Sequence, residues 1–111
     1  MKYKFRGQVL NTYEWVYGSL YGDKAIIQDG EGYVVNPETI GLRSGYCDSA
    51  GVPIYENDIL LDNRTNRYYT VTFDGTDFWC NRTPADMPYI LLCDLDMYSI
   101  KVVGNSYIME E

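Results

Sequence analysis

The chain has 111 residues, 46% hydrophobic and 23% charged, enough for one domain with a real core and no need of disulfides or a structural metal. Nine basic against sixteen acidic residues give a formal charge of -7, the reverse of what binds duplex DNA or an anionic membrane. No histidine occurs, which removes the usual base near neutral pH, the commonest metal ligand and every Ser-His or Cys-His nucleophile.

Twelve Tyr, three Phe and two Trp favour strands, because flat rings pack on a pleated, half-buried surface, and ten Gly and four Pro supply turns. Residues 4–10 alternate as a first strand, and Asn11-Thr12 offers a turn into a second strand over 15–21. There Trp15, Tyr17 and Ser19 share one face and Val16 and Gly18 the other. Gly22-Asp23 turns the chain into a short strand, Ala25-Ile26-Ile27-Gln28. Asp29-Gly30 then signals a hairpin, since both central positions of a type I′ turn need positive φ, and Tyr33-Val34-Val35 returns beside it. Asn36 caps a single helical turn with Pro37 in its first position, and 41–45 reads as an irregular or short extended connection.

Residues 51–61 read as a turn, a bend and a strand covered on both faces. Asn57 is the residue suited to positive φ, and Ile59-Leu60-Leu61 form the apolar run. Beyond a polar loop at 62–66, Tyr69, Val71 and Phe73 alternate with Tyr68, Thr70 and Thr72. Residues 74–77 turn that strand back into Phe78-Trp79-Cys80. Residues 81–88 form a long loop, 89–93 are an apolar run that fits a strand or a helical turn, and 100–103 and 107–109 close the chain as strands. A short strand after a tight turn, a hairpin and two closing strands is the order of a small SH3-like, partly open barrel. The fold class is therefore mainly β, with that barrel over 52–111 and N-terminal β-hairpins over 1–51 as an integral subdomain.

Chemistry is sparse. No phosphate-cradling glycine motif is present, and no cofactor is expected. Asp94 and Asp96, or Glu56 and Asp58, could share a strand face and hold a hard cation, but a solvated acidic face is the simpler reading of both pairs. Cys47, Cys80 and Cys93 are odd in number and far apart, which argues for reduced thiols in a cytosol, with Cys80 and Cys93 as small core residues. No apolar stretch follows the basic N-terminus, and none is long enough to span a bilayer. Lys2, Lys4 and Arg6 alternate as a solvated strand face. The aromatics are the remaining candidates, with Trp15, Tyr17, Tyr46, Tyr55 and Trp79 as the possible interaction surface.

Several stretches in order carry a family resemblance: Lys4-Phe5-Arg6-Gly7, Glu14-Trp15-Val16-Tyr17-Gly18-Ser19-Leu20, Pro37-Glu38-Thr39-Ile40-Gly41, Asp48 through Gly51 into Ile54-Tyr55-Glu56-Asn57-Asp58-Ile59, and Val103-Gly104-Asn105-Ser106-Tyr107. Together they resemble the YopX family of phage and prophage proteins. The resemblance implies a small, mainly β, cytoplasmic protein of a bacterial host, with no assigned biochemical activity. The chain departs from the family at Asn57, where Gly is usual. It also departs at Ser44-Gly45-Tyr46-Cys47-Asp48-Ser49-Ala50-Gly51, where two lysines of the family run are replaced and an apolar pair is gained.

The sequence thus points to a non-enzymatic accessory protein, with no catalytic or metal-binding residue. Its partner is another protein, or a second copy through self-association. The alternative is an acidic DNA mimic that blocks a host nucleic-acid-binding enzyme, since -7 on a small protein could imitate phosphates.

Overall fold

Among the described residues eleven strands and two single 3-10 turns follow the turn residues closely. The computed structural model describes residues 4–83 and 90–105. The expected strand over 107–109 and most of the expected 81–88 loop lie outside the described residues. The fold is mainly β, in two antiparallel sheets with strand orders β4-β3-β2-β1-β5-β6 and β10-β9-β8-β7-β11. The chain divides into two compact units, 1–43 and 44–111.

In the first unit, β1 (Phe5–Gln8) pairs with β2 (Trp15–Tyr21), placing Gln8 opposite Trp15 and Phe5 opposite Gly18. β3 (Ala25–Gln28) pairs with the end of β2, and β4 (Glu31–Val34) returns beside it. Asp29 and Gly30 take φ of 53° and 83°, so the hairpin is the primed turn that their side chains permit. Asn36 caps the 3-10 turn Pro37–Thr39, its side chain accepting the Glu38 N–H at 3.1 Å. Thr39, 2% exposed, ties that turn to β1 by accepting the Gln8 N–H at 2.9 Å. Val16, Ile26 and Val35 form the core, with Phe5, Val9, Tyr33 and Ile40 packed against them.

Of the two readings of 41–45, irregular or short extended, the extended one holds. These residues open β5 (Gly41–Cys47), whose first residues pair with Arg6 and Phe5. No local signal marks this strand, because its ladder is supplied by β1, far away in the chain.

The second unit is built on the central stretch. β6 (Pro53–Tyr55) runs into a turn with Asn57 at φ 79°, whose N–H donates to the Val71 carbonyl at 2.8 Å, and β7 (Asp58–Asp62) follows. The positive φ explains why Asn serves here: the left-handed region costs most residues about 1–2 kcal/mol, and Asn and Gly least. Asn57→Ala should therefore lower stability by about 1 kcal/mol and Asn57→Gly should not, as thermal melting of the two variants would reveal.

β8 (Arg67–Phe73) and β9 (Phe78–Thr83) complete a meander, with Phe73 and Phe78 rings 4.6 Å apart across the turn. The ambiguous apolar run resolves into both readings, a two-residue β10 (Ile90–Leu91) and a 3-10 turn (Leu92–Asp94). β11 (Ile100–Asn105) pairs with β7 through a bulge between Val102 and Gly104. Ile54, Leu60, Tyr69, Val71, Cys80, Leu92 and Ile100 form the core. Of the apolar run in β7, Leu60 is fully covered and Ile59 and Leu61 are half-buried, so the run is not equally buried on both faces.

The barrel expected over 52–111 is an open sheet. β10 and β11 end the strand order on opposite sides and do not pair with each other among the described residues, and two residues of β10 offer too short a ladder to close it.

Candidate interaction surfaces

By strand alternation Trp15, Tyr17, Ser19 and Tyr21 share one face of β2, opposite the face that buries Val16. Along this face the exposure rises. Trp15 is half-buried, with the Arg6 guanidinium 4.9 Å from its ring centroid, while Tyr17 is 44% and Tyr21 71% exposed. Val34, 55% exposed, lies in register with Tyr21 across Ala25 and extends the strip onto β4. Arg6 is itself only 7% exposed and so does not belong to a solvated cation face: the guanidinium lies over an indole face instead.

The second unit carries a pocket of about 260 Å³. Tyr46 and Phe78 form aromatic walls and Leu91 an aliphatic one over the buried Leu92, and Asp77 and Cys93 bring a carboxylate and a thiol. Tyr46 is 40% exposed, and its N–H donates to Ser44 Oγ at 3.1 Å. Cys93 is exposed rather than a core residue, because it falls in the 3-10 turn and not on the buried face of a strand. Cys80 is fully buried, and burial pushes its thiol up to about 12, which leaves it inert.

Two of the expected surface aromatics are engaged inside the second unit. Tyr55 is 5% exposed and donates its N–H to Asp58 Oδ2 at 2.8 Å, so it belongs to the interior and not to a surface. Trp79 is half-buried, and its indole N–H donates to Asp74 Oδ2 at 2.9 Å, clamping the turn that joins β8 to β9. Trp15 and Tyr17 therefore share a face, Tyr46 lines the pocket, and Tyr55 and Trp79 have structural duties. Tyr21, Val34, Asp77 and Cys93 join these surfaces through register and turn geometry.

A family model described as YopX protein matches residues 4–109. The chain belongs to the YopX family. Membership suggests a phage-type protein of unassigned function. No curated protein matches the chain. Among the described residues no helix is long and apolar enough to cross a membrane. The stretches that carry the family resemblance are turn and core builders here, from the positive-φ positions Gly51 and Asn57 to buried Ile54 and Asp58.

The acidic residues of this family member are unevenly placed. Residues 1–43 hold five basic and five acidic side chains, whereas 44–111 hold four and eleven, so the second unit carries the whole net charge of -7. Most of its described aspartates build turns. Asp48, 6% exposed, accepts the Ala50 and Val52 N–H groups on Oδ1 and the Val102 N–H on Oδ2, at 2.8, 2.8 and 2.9 Å. Burial pushes its carboxyl up, but the N–H groups of Val102, Val52 and Ala50 outweigh that and hold it below the usual carboxylate value. Asp62 accepts from Arg64 N–H at 3.0 Å, and Asp74 from Thr76 and Asp77 N–H at 2.9 and 2.8 Å. The Asp77 and Thr76 N–H groups and the Trp79 indole lower the Asp74 carboxyl in the same way.

One member of each acidic pair serves a turn. Asp58 receives the Tyr55 N–H, while Asp96 receives the Tyr98 N–H at 3.0 Å and lies 3.7 Å from the Arg64 guanidinium. Among the described residues no three His, Cys, Asp or Glu side chains come together as metal ligands would.

Proposed function

We propose that this protein is a non-enzymatic, phage-type accessory module that works in the cytoplasm of its bacterial host by binding another protein, without a cofactor. One observation carries the reading: the face of β2 opposite the buried Val16 presents Tyr17 and Tyr21 to solvent with Val34 beside them, in a unit of no net charge. Large rings that are exposed rather than packed supply apolar area and a hydroxyl at little entropic cost, which is the chemistry enriched at interface centres. The absence of histidine from the whole chain supports the non-enzymatic part.

The DNA-mimic reading is less well supported. Asp48, Asp58, Asp62, Asp74 and Asp96 direct carboxylate oxygens at backbone N–H groups of their own turns, so the negative charge is a consequence of turn building rather than a row spaced like phosphates. Direct nucleic-acid binding is disfavoured by the same charge.

The reading is tested with wild type and Tyr17→Glu/Tyr21→Glu as bait in host lysate, alongside sedimentation over a concentration series. The double variant should lose about tenfold or more of the recovered partner, or of the self-association, at unchanged melting temperature. Equal recovery from both baits, with both monomeric, would refute it.

A further inference from the structure

We propose that the pocket of the second unit receives the arginine side chain of a basic protein segment. The site is separate from the aromatic strip of the first unit and does not depend on it.

Among the described residues that line the pocket Asp77 is the one charged side chain and none is basic, in a unit with four basic and eleven acidic residues. Asp77 also differs from its neighbours in use. Asp48, Asp58, Asp62, Asp74 and Asp96 each accept a backbone N–H, whereas the Asp77 carboxylate has no hydrogen bond or ion pair among the described residues; only its backbone serves the turn, donating to Asp74 Oδ1 and accepting from the Asp74 N–H. That leaves it available to a ligand.

The other walls narrow the ligand further. Among the described lining residues an anion would meet a carboxylate and no cation, and a purely apolar group would cover that carboxylate without replacing its water. A metal ion would find one hard ligand where it needs several. A guanidinium satisfies each wall: its plane stacks on the Tyr46 or Phe78 ring, its N–H fork pairs with a carboxylate, and its methylene stem lies along Leu91. At about 260 Å³ the pocket is below the roughly 300 Å³ where drug-sized sites begin, a size for one side chain.

The test is an amide-resolved NMR titration of the full chain with N-acetyl-arginine-methylamide, with the citrulline compound as its uncharged, near-isosteric control. Saturable shifts are expected at Tyr46, Asp77, Phe78 and Cys93 with the arginine compound, at about millimolar affinity, and much weaker ones with citrulline. Asp77→Asn and Tyr46→Ala should each weaken binding about threefold to tenfold at low salt, with unchanged melting temperature. Cys93 gives a second readout in the wild-type protein. Saturating probe should slow its alkylation relative to Cys47, which is also exposed but does not line the pocket. Citrulline binding as tightly as arginine, shifts confined to other residues, or no protection of Cys93 would overturn the proposal.

Discussion

Asp48→Ala should lower stability by about 3–4 kcal/mol, visible as a lower urea midpoint at unchanged slope. The carboxylate is 6% exposed and serves three backbone N–H groups at once, two in its own turn and one on β11. Alanine removes all three acceptor contacts and leaves the Val102 donor without a partner inside the second unit. Asp48→Asn keeps a neutral acceptor oxygen and should cost less, because hydrogen bonds to a charged group are roughly twice as strong as neutral ones. The gap between wild type and the Asn variant should also depend on pH. The folded-state carboxyl is held below its ordinary value, so its stabilisation is fully present above the unfolded pKa of about 3.9 and is lost as pH falls through the lower folded value. Urea titrations from neutral pH down to acid check this, and a gap that stays constant on acidification would contradict the role given to Asp48.

Gly18→Ala should cost about 3 kcal/mol, for a different reason. The β2 ladder passes from β1 to β3 around this residue, and a Cβ built on Gly18 would collide with the carbonyl oxygen of Ile27. The obstacle is backbone in a paired strand and cannot swing aside as a side-chain end can. Relief requires β3 to move away from β2, which would loosen Ile26, a residue of the Val16 and Val35 core. Gly32→Ala is the matched control: its Cβ would meet only the end of the Ile27 side chain at 3.4 Å, and the shift should stay within about 0.5 kcal/mol. Equal losses in the two variants, by thermal melting followed in the near-UV, would remove close strand approach as the reason for glycine at 18.

Much of the fold is legible because its signals act over a few residues. Asp29-Gly30, Asn57 and the Asn36-Pro37 pair each fix a local conformation through positive φ or a side chain bonded to a nearby N–H, and all three adopt the expected geometry. The alternation in β8 likewise places Tyr69 and Val71 in the core and leaves Tyr68 exposed. The candidate surfaces are less legible. Tyr17 and Tyr46 stand out as exposed aromatics, but equally prominent Tyr55 and Trp79 hold turns, and Asp77 becomes distinctive only once the neighbouring aspartates are seen to be engaged.

From sequence alone follow the mainly β class, the positions of the turns and the family, since each depends on residue type and near neighbours. Tertiary structure alone decided that 41–47 is a strand, that Arg6 lies under cover against Trp15, that Cys93 faces solvent, and that Asp48 reaches an N–H 54 residues away. Those outcomes depend on which strand lies opposite, and strand pairing is settled by contacts between distant segments that no local window contains.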